Sequence, residues 1–323
     1  MKAIRRAING ANINRLRFWI QLVALVLLVY GGYVGIELGN SLPVLSCGYN
    51  PQGHAGLCFL LPLQHNLSGA LFRLFRIAAG GFLIAVLWFL LWFVVLNKAW
   101  CGFICPLGTL QDWLTALRRR FHVRNARFTL AQFRALTRIK YVLLALAILL
   151  PLGVGAGWLH RDLNAPFCAI CPGKTIVPLL NGNAQYFAID FSSSVSIMLS
   201  TLCMVTTGLF FAGSFGRKRF WCFLCPMSAL HYLLSKAALL RLRKDGAKCT
   251  RCGDCYRVCD MEIAGIADDV VARDIMRDDC MLCLKCVAAC PEDGALKATF
   301  AGATLYEATS DGFVRRMDKG GRK

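Results

Sequence analysis

Several residue types that mark common functions are scarce in this sequence of 323 residues. It has 5 histidines and 8 methionines, and no histidine lies inside a long hydrophobic run. A b-type haem needs paired histidines on facing helices, and a copper site would need a cluster of Met or His, so both are disfavoured. The sequence also has no glycine-rich phosphate loop and no nucleophile beside a base. It therefore gives no sign of nucleotide binding or of covalent hydrolysis.

Acidic residues are also few, with 18 Asp and Glu against 37 Lys and Arg, a formal net charge of +19. This excess is local, because the chain from Cys249 onward has 11 basic and 13 acidic residues. The positive charge lies in the first 248 residues, beside long hydrophobic runs. Basic loops that flank apolar segments are typical of membrane proteins. The charge therefore indicates membrane orientation, and no nucleic-acid partner is expected.

Four hydrophobic runs, at 18–36, 77–96, 141–159 and 195–215, have about the length that a bilayer requires. No small-residue cleavage site follows the first run, which favours a retained helix over a signal peptide. The 97–140 connection holds nine basic residues and the single acid Asp112, whereas the 37–76 and 160–194 connections hold two basic residues each. The sequence thus predicts four transmembrane helices, with both termini in the cytoplasm.

Cysteine is abundant, with 17 residues, and eight of them lie between residues 249 and 290. There the pattern Cys-x2-Cys-x2-Cys-x3-Cys occurs twice, which is the ligand pattern of bacterial ferredoxins with two [4Fe-4S] clusters. In that pattern the fourth cysteine of each motif binds the other motif's cluster. Two zinc sites are the alternative, but zinc patterns usually separate two Cys-x2-Cys pairs. The predicted ligands are Cys249, Cys252, Cys255 and Cys290 for the first cluster, and Cys280, Cys283, Cys286 and Cys259 for the second.

A second cysteine motif is written twice, as Trp-Cys-x3-Cys-Pro at 100–106 and Trp-Cys-x2-Cys-Pro at 221–226. Cys101 and Cys222 are 121 positions apart, and so are Cys47 and Cys168. A repeat of this length predicts two tandem two-helix units. Each unit would contribute half of a four-thiol site at each membrane face. The predicted sites are Cys101, Cys105, Cys222 and Cys225 at the cytoplasmic face, and Cys47, Cys58, Cys168 and Cys171 outside.

The outside cysteines have an alternative, because an oxidising compartment also permits disulfides Cys47–Cys58 and Cys168–Cys171. Cys203 is left over and is expected to be a small buried residue. Polar residues near the outside interface could exchange protons with a quinone headgroup, and the alternative is that they have no special role. These candidate quinone-site residues are His54, His65, His160, Arg161 and Asp162.

The predicted fold is a mainly α membrane protein with four transmembrane helices in two tandem repeats and a C-terminal α+β ferredoxin-like domain. The expected domains are residues 1–120 and 121–245 for the two repeats, 246–300 for the ferredoxin-like domain, and 301–323 for a polar tail.

With its two Trp-Cys motifs, four hydrophobic runs and C-terminal double ferredoxin motif, the chain resembles the NapH/NosR/CcoG group of membrane ferredoxin-type proteins. Its layout is most similar to that of NapH, the membrane component of a quinol dehydrogenase. The resemblance implies electron transfer between the quinone pool or a cytoplasmic donor and an extracytoplasmic redox protein, with a ferredoxin or cytochrome as a further partner. A role as a quinol dehydrogenase subunit is open. The alternative is a CcoG-like assembly factor that reduces a metal or thiol on a client enzyme.

Overall fold

The computed structural model describes residues 13–36, 47, 49, 58–69, 79–126, 130–271, 273–276 and 280–314. Within these ranges the chain is mainly helical, with one small sheet near the C-terminus. The α-helices are α1 Ile13–Tyr30, α2 Leu60–Ser68, α3 Ala79–Leu96, α4 Pro106–Arg120, α5 Leu130–Gly155, α6 Pro166–Ile170, α7 Gly173–Leu180, α8 Ser194–Gly216, α9 Pro226–Leu234, α10 Asp254–Arg257, α11 Gly265–Asp268 and α12 Lys285–Ala289. The strands are β1 Leu240–Lys244, β2 Leu296–Phe300 and β3 Ala303–Glu307.

Three segments are long and apolar enough to cross a membrane: Ile13–Val34, Ala135–Gly155 and Ser194–Gly216. They expose large apolar side chains such as Leu149 and Val205, as expected of surfaces that face lipid. The predicted second span contains α3, whose described apolar stretch, Val86–Leu96, is shorter than a full span. The described part of the chain thus contains three candidate membrane helices, and the four-span layout stays a prediction.

The chain divides into two compact units, each built from several segments. The ferredoxin unit consists of Met1–Leu22, Phe93–Phe103 and His231–Lys323, and the membrane unit consists of Val23–Trp92 and Ile104–Leu230. The first turns of α1 and the last turn of α3 therefore belong with the ferredoxin part. The domain boundaries expected at residues 120, 245 and 300 stay a prediction.

In the ferredoxin unit, the three strands form an antiparallel sheet in the order β1-β2-β3. Strand β3 lies in the segment predicted to be a polar tail. Ala301 and Gly302 have positive φ angles of 47° and 85°, which makes a tight hairpin turn between β2 and β3. Tyr306 on β3 is buried. The hairpin turn and this aromatic anchor extend the domain beyond residue 300.

In the membrane unit, the segment from residue 161 to residue 190 runs along α8 to its middle and returns. At the start of α8, Asp162 accepts hydrogen bonds from Ser193 Oγ at 2.6 Å and from Ser196 Oγ at 3.3 Å. Further along, Thr206 Oγ1 donates to the Ile170 carbonyl. Ten helical residues separate Ser196 from Thr206, about 15 Å at 1.5 Å per residue. The turn that carries Cys171 therefore lies about halfway along this helix of 23 residues.

Helix α2 and the residues just before it form a comparable segment in the first half of the chain. We call this segment, 58–69, and the segment 161–190 the two excursions. It packs against α5, and Phe59, just before its first residue, stacks on Phe89 in α3 with ring centroids 4.1 Å apart. Phe89 lies inside α3, and Cys58 directly precedes the Phe59 that stacks on it. Cys58 is therefore also placed away from the ends of α3. Irregular backbone at membrane depth is tolerated where protein surrounds it, and both excursions are packed between helices.

Candidate iron-sulfur sites

The first ferredoxin motif closes around a cavity of about 20 Å³. Four of its lining residues are cysteines: Cys249, Cys252, Cys255 and Cys290. Arg251 and Gly253 adopt positive φ angles of 57° and 79°, and this left-handed backbone lets the loop wind around the cavity. These four thiols are the predicted first ligand set. Cys290 reaches them from the other end of the motif pair.

The second set, Cys259, Cys280, Cys283 and Cys286, lies deeper in the ferredoxin unit. Its members influence one another electrostatically, and Cys280, Cys283 and Cys286 are buried. Burial raises the pKa of Cys259 to about 12 and raises the pKa of Cys280 and Cys286 well above the usual range. Such thiols become thiolates when bound iron supplies compensating positive charge.

Backbone N–H groups point at the sulfurs of both sets in a repeated way. The thiol of Cys280 accepts a hydrogen bond from the N–H of Leu282, and that of Cys290 accepts one from Glu292. In each case the donor is two residues after the cysteine. Hydrogen bonds to the sulfurs stabilise the negative charge of an iron-sulfur cluster. The cysteines and donors of this unit therefore fit two [4Fe-4S] clusters.

The membrane unit has a larger cavity, of about 80 Å³, lined by six cysteines. Four come from the loops predicted to lie outside, and one comes from each Cys-Pro motif. The six are Cys47, Cys58, Cys168, Cys171, Cys105 and Cys225. The indole of Trp221 and the side chain of Leu107 complete much of the wall. The two excursions described above bring these distant cysteines together.

The same backbone pattern occurs here as in the ferredoxin unit. Cys47, Cys58 and Cys171 each accept a hydrogen bond from the N–H of the second residue that follows: Tyr49, Leu60 and Gly173. Leu60 and Gly173 are the first residues of α2 and α7, whose N-terminal dipoles favour negative charge. The donors around this cavity are thus suited to thiolate ligands.

Two buried glutamines contact cysteine sulfurs in matching ways. Gln64 accepts a hydrogen bond from Phe167 N at 3.3 Å, and its amide nitrogen lies 3.4 Å from Cys168 Sγ. Gln111 accepts one from Trp221 N at 2.8 Å, with its amide nitrogen 3.9 Å from Cys222 Sγ. Each glutamine thus binds an aromatic-Cys dipeptide at the backbone N–H and at the sulfur. Both come from the first half of the chain and contact the second half.

None of the 17 cysteines, all of which are described, forms a disulfide. Among the described residues, no three Cys, His, Asp or Glu side chains are grouped closely enough for a single metal ion. Cys203 is buried, as expected, and contacts the Cys171 carbonyl.

The remaining predicted site residues are dispersed or lie outside the described residues. Cys101 belongs to the ferredoxin unit, whereas its three predicted co-ligands belong to the membrane unit. His65, His160 and Arg161 are exposed, and His54 lies outside the described residues. Asp162 is 3.3 Å from His160 Nδ1 and accepts the two serine hydroxyls at the start of α8, which gives it a structural role.

Sequence reasoning missed the polar residues around the sulfurs. Gln64 and Gln111 could have been noticed as amides in largely apolar surroundings close to cysteine motifs. Asp260 stands where proline often follows the first ferredoxin motif, and it is buried between Arg17, at 3.2 Å, and Lys285, at 2.5 Å. The residue that departs from the pattern is therefore an ion-pair anchor.

Comparisons with known proteins find two iron-sulfur domain models that match this chain. A 4Fe-4S binding domain model matches residues 77–124 and again residues 197–247, so each match contains one Trp-Cys motif. A 4Fe-4S dicluster domain model matches residues 241–291. No solved structure matches the chain significantly.

Curated relatives include the putative electron transport protein YccM of Escherichia coli, 25% identical over 84% of this chain and 72% of the relative. The ferredoxin-type protein NapH of Haemophilus influenzae is 27% identical over 86% of this chain and 88% of its own length. The E. coli NapH is 28% identical over 61% of this chain and 60% of its own length, so the match spans less than two thirds of that relative.

Proposed function

This chain is a homologue of the ferredoxin-type membrane electron-transfer proteins, and on that premise we propose that it relays electrons between the quinone pool or a cytoplasmic donor and an extracytoplasmic redox enzyme. The observation that carries this proposal is the presence of cysteine-lined sites in both units of one membrane protein. A ferredoxin alone would need only the eight C-terminal cysteines.

In this proposal two [4Fe-4S] clusters occupy the ferredoxin unit with crossed ligation. The first cluster has the four cysteines that line the smaller cavity, which supports Cys290 as its fourth ligand. The second has Cys259 with the three buried cysteines of the later motif. Such clusters supply reversible one-electron transfer when bound. The role of the protein is to bury the thiolates, donate N–H groups to them and control the access of solvent.

Further centres are proposed in the membrane part. The sequence repeat favours one centre with Cys101, Cys105, Cys222 and Cys225, and another with Cys47, Cys58, Cys168 and Cys171. A hydrocarbon layer about 30 Å thick is too wide to cross without intermediate centres. The convergence of the second set with Cys105 and Cys225 on one cavity supports a short step between the two centres.

The proposed topology has four membrane helices, in two tandem repeats, with both termini in the cytoplasm of the bacterial inner membrane. Cysteine-accessibility labelling or reporter fusions at positions 125 and 320 should report cytoplasm, and a fusion at position 180 should report the outside. An outside signal at position 320 would contradict the topology, because the ferredoxin thiolates need a reducing compartment.

The functional test uses the purified full-length protein in lipid with a quinol analogue, and follows cluster reduction optically. The proposal predicts bleaching of the iron-sulfur absorbance together with oxidation of the quinol. A protein whose clusters are reduced by a low-potential ferredoxin but never exchange electrons with quinol would instead favour the assembly-factor alternative. His160→Ala and His65→Ala, each compared with wild type, would test the proposed quinone-site residues.

A further inference from the structure

We propose that the two ferredoxin sites act in series, with the Cys280 site on the Cys101 side and the Cys249 site open to a soluble one-electron carrier. This inference rests on the proposed electron-transfer function and adds an order to it. All the contacts that support it lie inside the ferredoxin unit.

The first support is a backbone contact between the Cys101 turn, Trp100–Ile104, and the second ferredoxin motif. A Cβ atom placed on Gly102 would lie 2.5 Å from the Met281 carbonyl oxygen and 3.5 Å from Cys283 Cα. Only glycine permits such a close approach. The residue that follows Cys101 therefore packs directly on the backbone of a predicted ligand of the second cluster.

The second support is the side chain of Arg17, which is buried and joins the same two elements. Its Nε donates to the Gly102 carbonyl at 2.9 Å, and its Nη1 donates to Asp260 Oδ2 at 3.2 Å. Asp260 follows Cys259, and its second partner, Lys285, precedes Cys286. Gln21 adds a hydrogen bond to the Gly102 carbonyl at 3.2 Å. Helix α1, the Cys101 turn and the Cys280 site are thus held together by one buried network.

The third support is the contrast in exposure between the two sites. Cys252 of the Cys249 site is exposed, as are its neighbours Thr250 and Arg251. Cys280, Cys283 and Cys286 are each buried. A soluble carrier can approach the first site closely, whereas the second is covered by the Cys101 turn.

The electron count in this order is simple. A reduced soluble carrier would lose one electron to a cluster held by the Cys249 site, and one electron would move on to a cluster held by the Cys280 site. From there it leaves toward the centre that Cys101 is proposed to serve. No bond is made or broken and no proton is required. The chain favours this order because the Cys101 turn packs on the backbone of the Cys280 site.

The test uses the full-length protein in lipid, with the redox potential of each cluster measured by EPR-monitored titration. Signals are assigned with Cys255→Ala and Cys286→Ala, which each remove a different cluster. Arg17→Leu should lower the midpoint potential of the Cys280-site cluster alone, because it removes a nearby positive charge. Arg15→Leu removes the same charge from an exposed position two residues away and should leave both potentials unchanged.

Gly102→Ala gives an independent measurement, since its Cβ must displace the Met281 carbonyl. It should shift the Cys280-site signal, whereas Gly208→Ala, which has open space around its Cβ, should shift neither signal. Two results would overturn the order. One is that both Arg17→Leu and Gly102→Ala shift the signal of the Cys249-site cluster, and the other is that neither variant shifts the signal of either cluster.

Chelation supplies a third readout that needs no variant. Oxidative treatment with a soluble iron chelator should remove the iron of the Cys249 site first, and equal rates of loss would contradict the proposal. These measurements require only the ferredoxin clusters. They can therefore succeed if quinol oxidation fails, and they can fail if it succeeds.

Discussion

The two units assemble cysteine sites by opposite routes. In the ferredoxin unit, eight cysteines come from one stretch, residues 249–290, and loops with positive φ wrap them around each site. In the membrane unit, the six cysteines of the cavity come from residues 47 to 225 and meet only because two chain segments run back between the helices. The first kind of site is encoded by local spacing. The second depends on tertiary structure.

The surroundings of the sulfurs differ accordingly. In both units, a cysteine sulfur accepts a hydrogen bond from the backbone N–H two residues later. This occurs at Cys280 and Cys290 in the ferredoxin unit and at Cys58 and Cys171 in the membrane unit. Only the membrane unit shows the paired glutamine arrangement at Cys168 and Cys222 among the described residues. A site assembled from distant segments needs side chains that fix those segments to each other, and each glutamine does this with two contacts.

The largest expected effect is the loss of a whole cluster when one of its cysteine ligands in the ferredoxin unit is replaced. Cys255→Ala and Cys290→Ala should each abolish the same cluster, about four irons per chain, although the two residues lie in different motifs. Cys286→Ala should abolish the other cluster. Iron and sulfide analysis with low-temperature EPR measures this. If Cys290→Ala and Cys286→Ala abolished the same cluster, each motif would bind its own cluster with all four of its cysteines, and the crossed ligation would be wrong.

A smaller effect is expected at the glutamines. An N–H···S contact stabilises the reduced, more negative cluster, so Gln64→Leu should lower the potential of the centre that includes Cys168. A hydrogen bond is worth about 1 kcal/mol, and at 59 mV per 1.4 kcal/mol for one electron this corresponds to about 40 mV. Gln185→Leu, on the exposed surface 121 positions later, is the matched control. If Gln64→Leu instead changed the redox potentials of the ferredoxin clusters, the predicted contact between Gln64 and the Cys168 centre would be contradicted.

The smallest effect concerns the excursion along α8. Ser193 caps this helix through a hydrogen bond from Ser196 N to its hydroxyl, and it also donates to Asp162. Ser193→Ala should cost about 1 kcal/mol of stability in the membrane unit. Thermal unfolding in detergent should show a lower midpoint, while the EPR signals of the ferredoxin clusters stay unchanged. Loss of those signals would show that the units are not energetically separate.

The sequence predicts the ferredoxin ligand sets from spacing alone, because Cys249, Cys252 and Cys255 lie within seven residues of one another. It also predicts a site with Cys47, Cys58, Cys168 and Cys171, and these four cysteines line one cavity. It could not predict that Cys105 and Cys225 line the same cavity, because hydropathy marks loops as connections without saying how deeply they return. The role of Asp260 was equally hidden, since its partner Arg17 is far away in sequence.

The most direct test of the account is the iron content of the purified full-length protein in lipid, measured together with acid-labile sulfide. Two ferredoxin clusters account for about eight irons per chain. The account predicts more than eight, with the excess lost in a Cys168→Ala, Cys171→Ala double variant that keeps both ferredoxin EPR signals. A content of about eight irons that the double variant leaves unchanged would contradict it, because the cysteine cavity of the membrane unit would then hold no cluster.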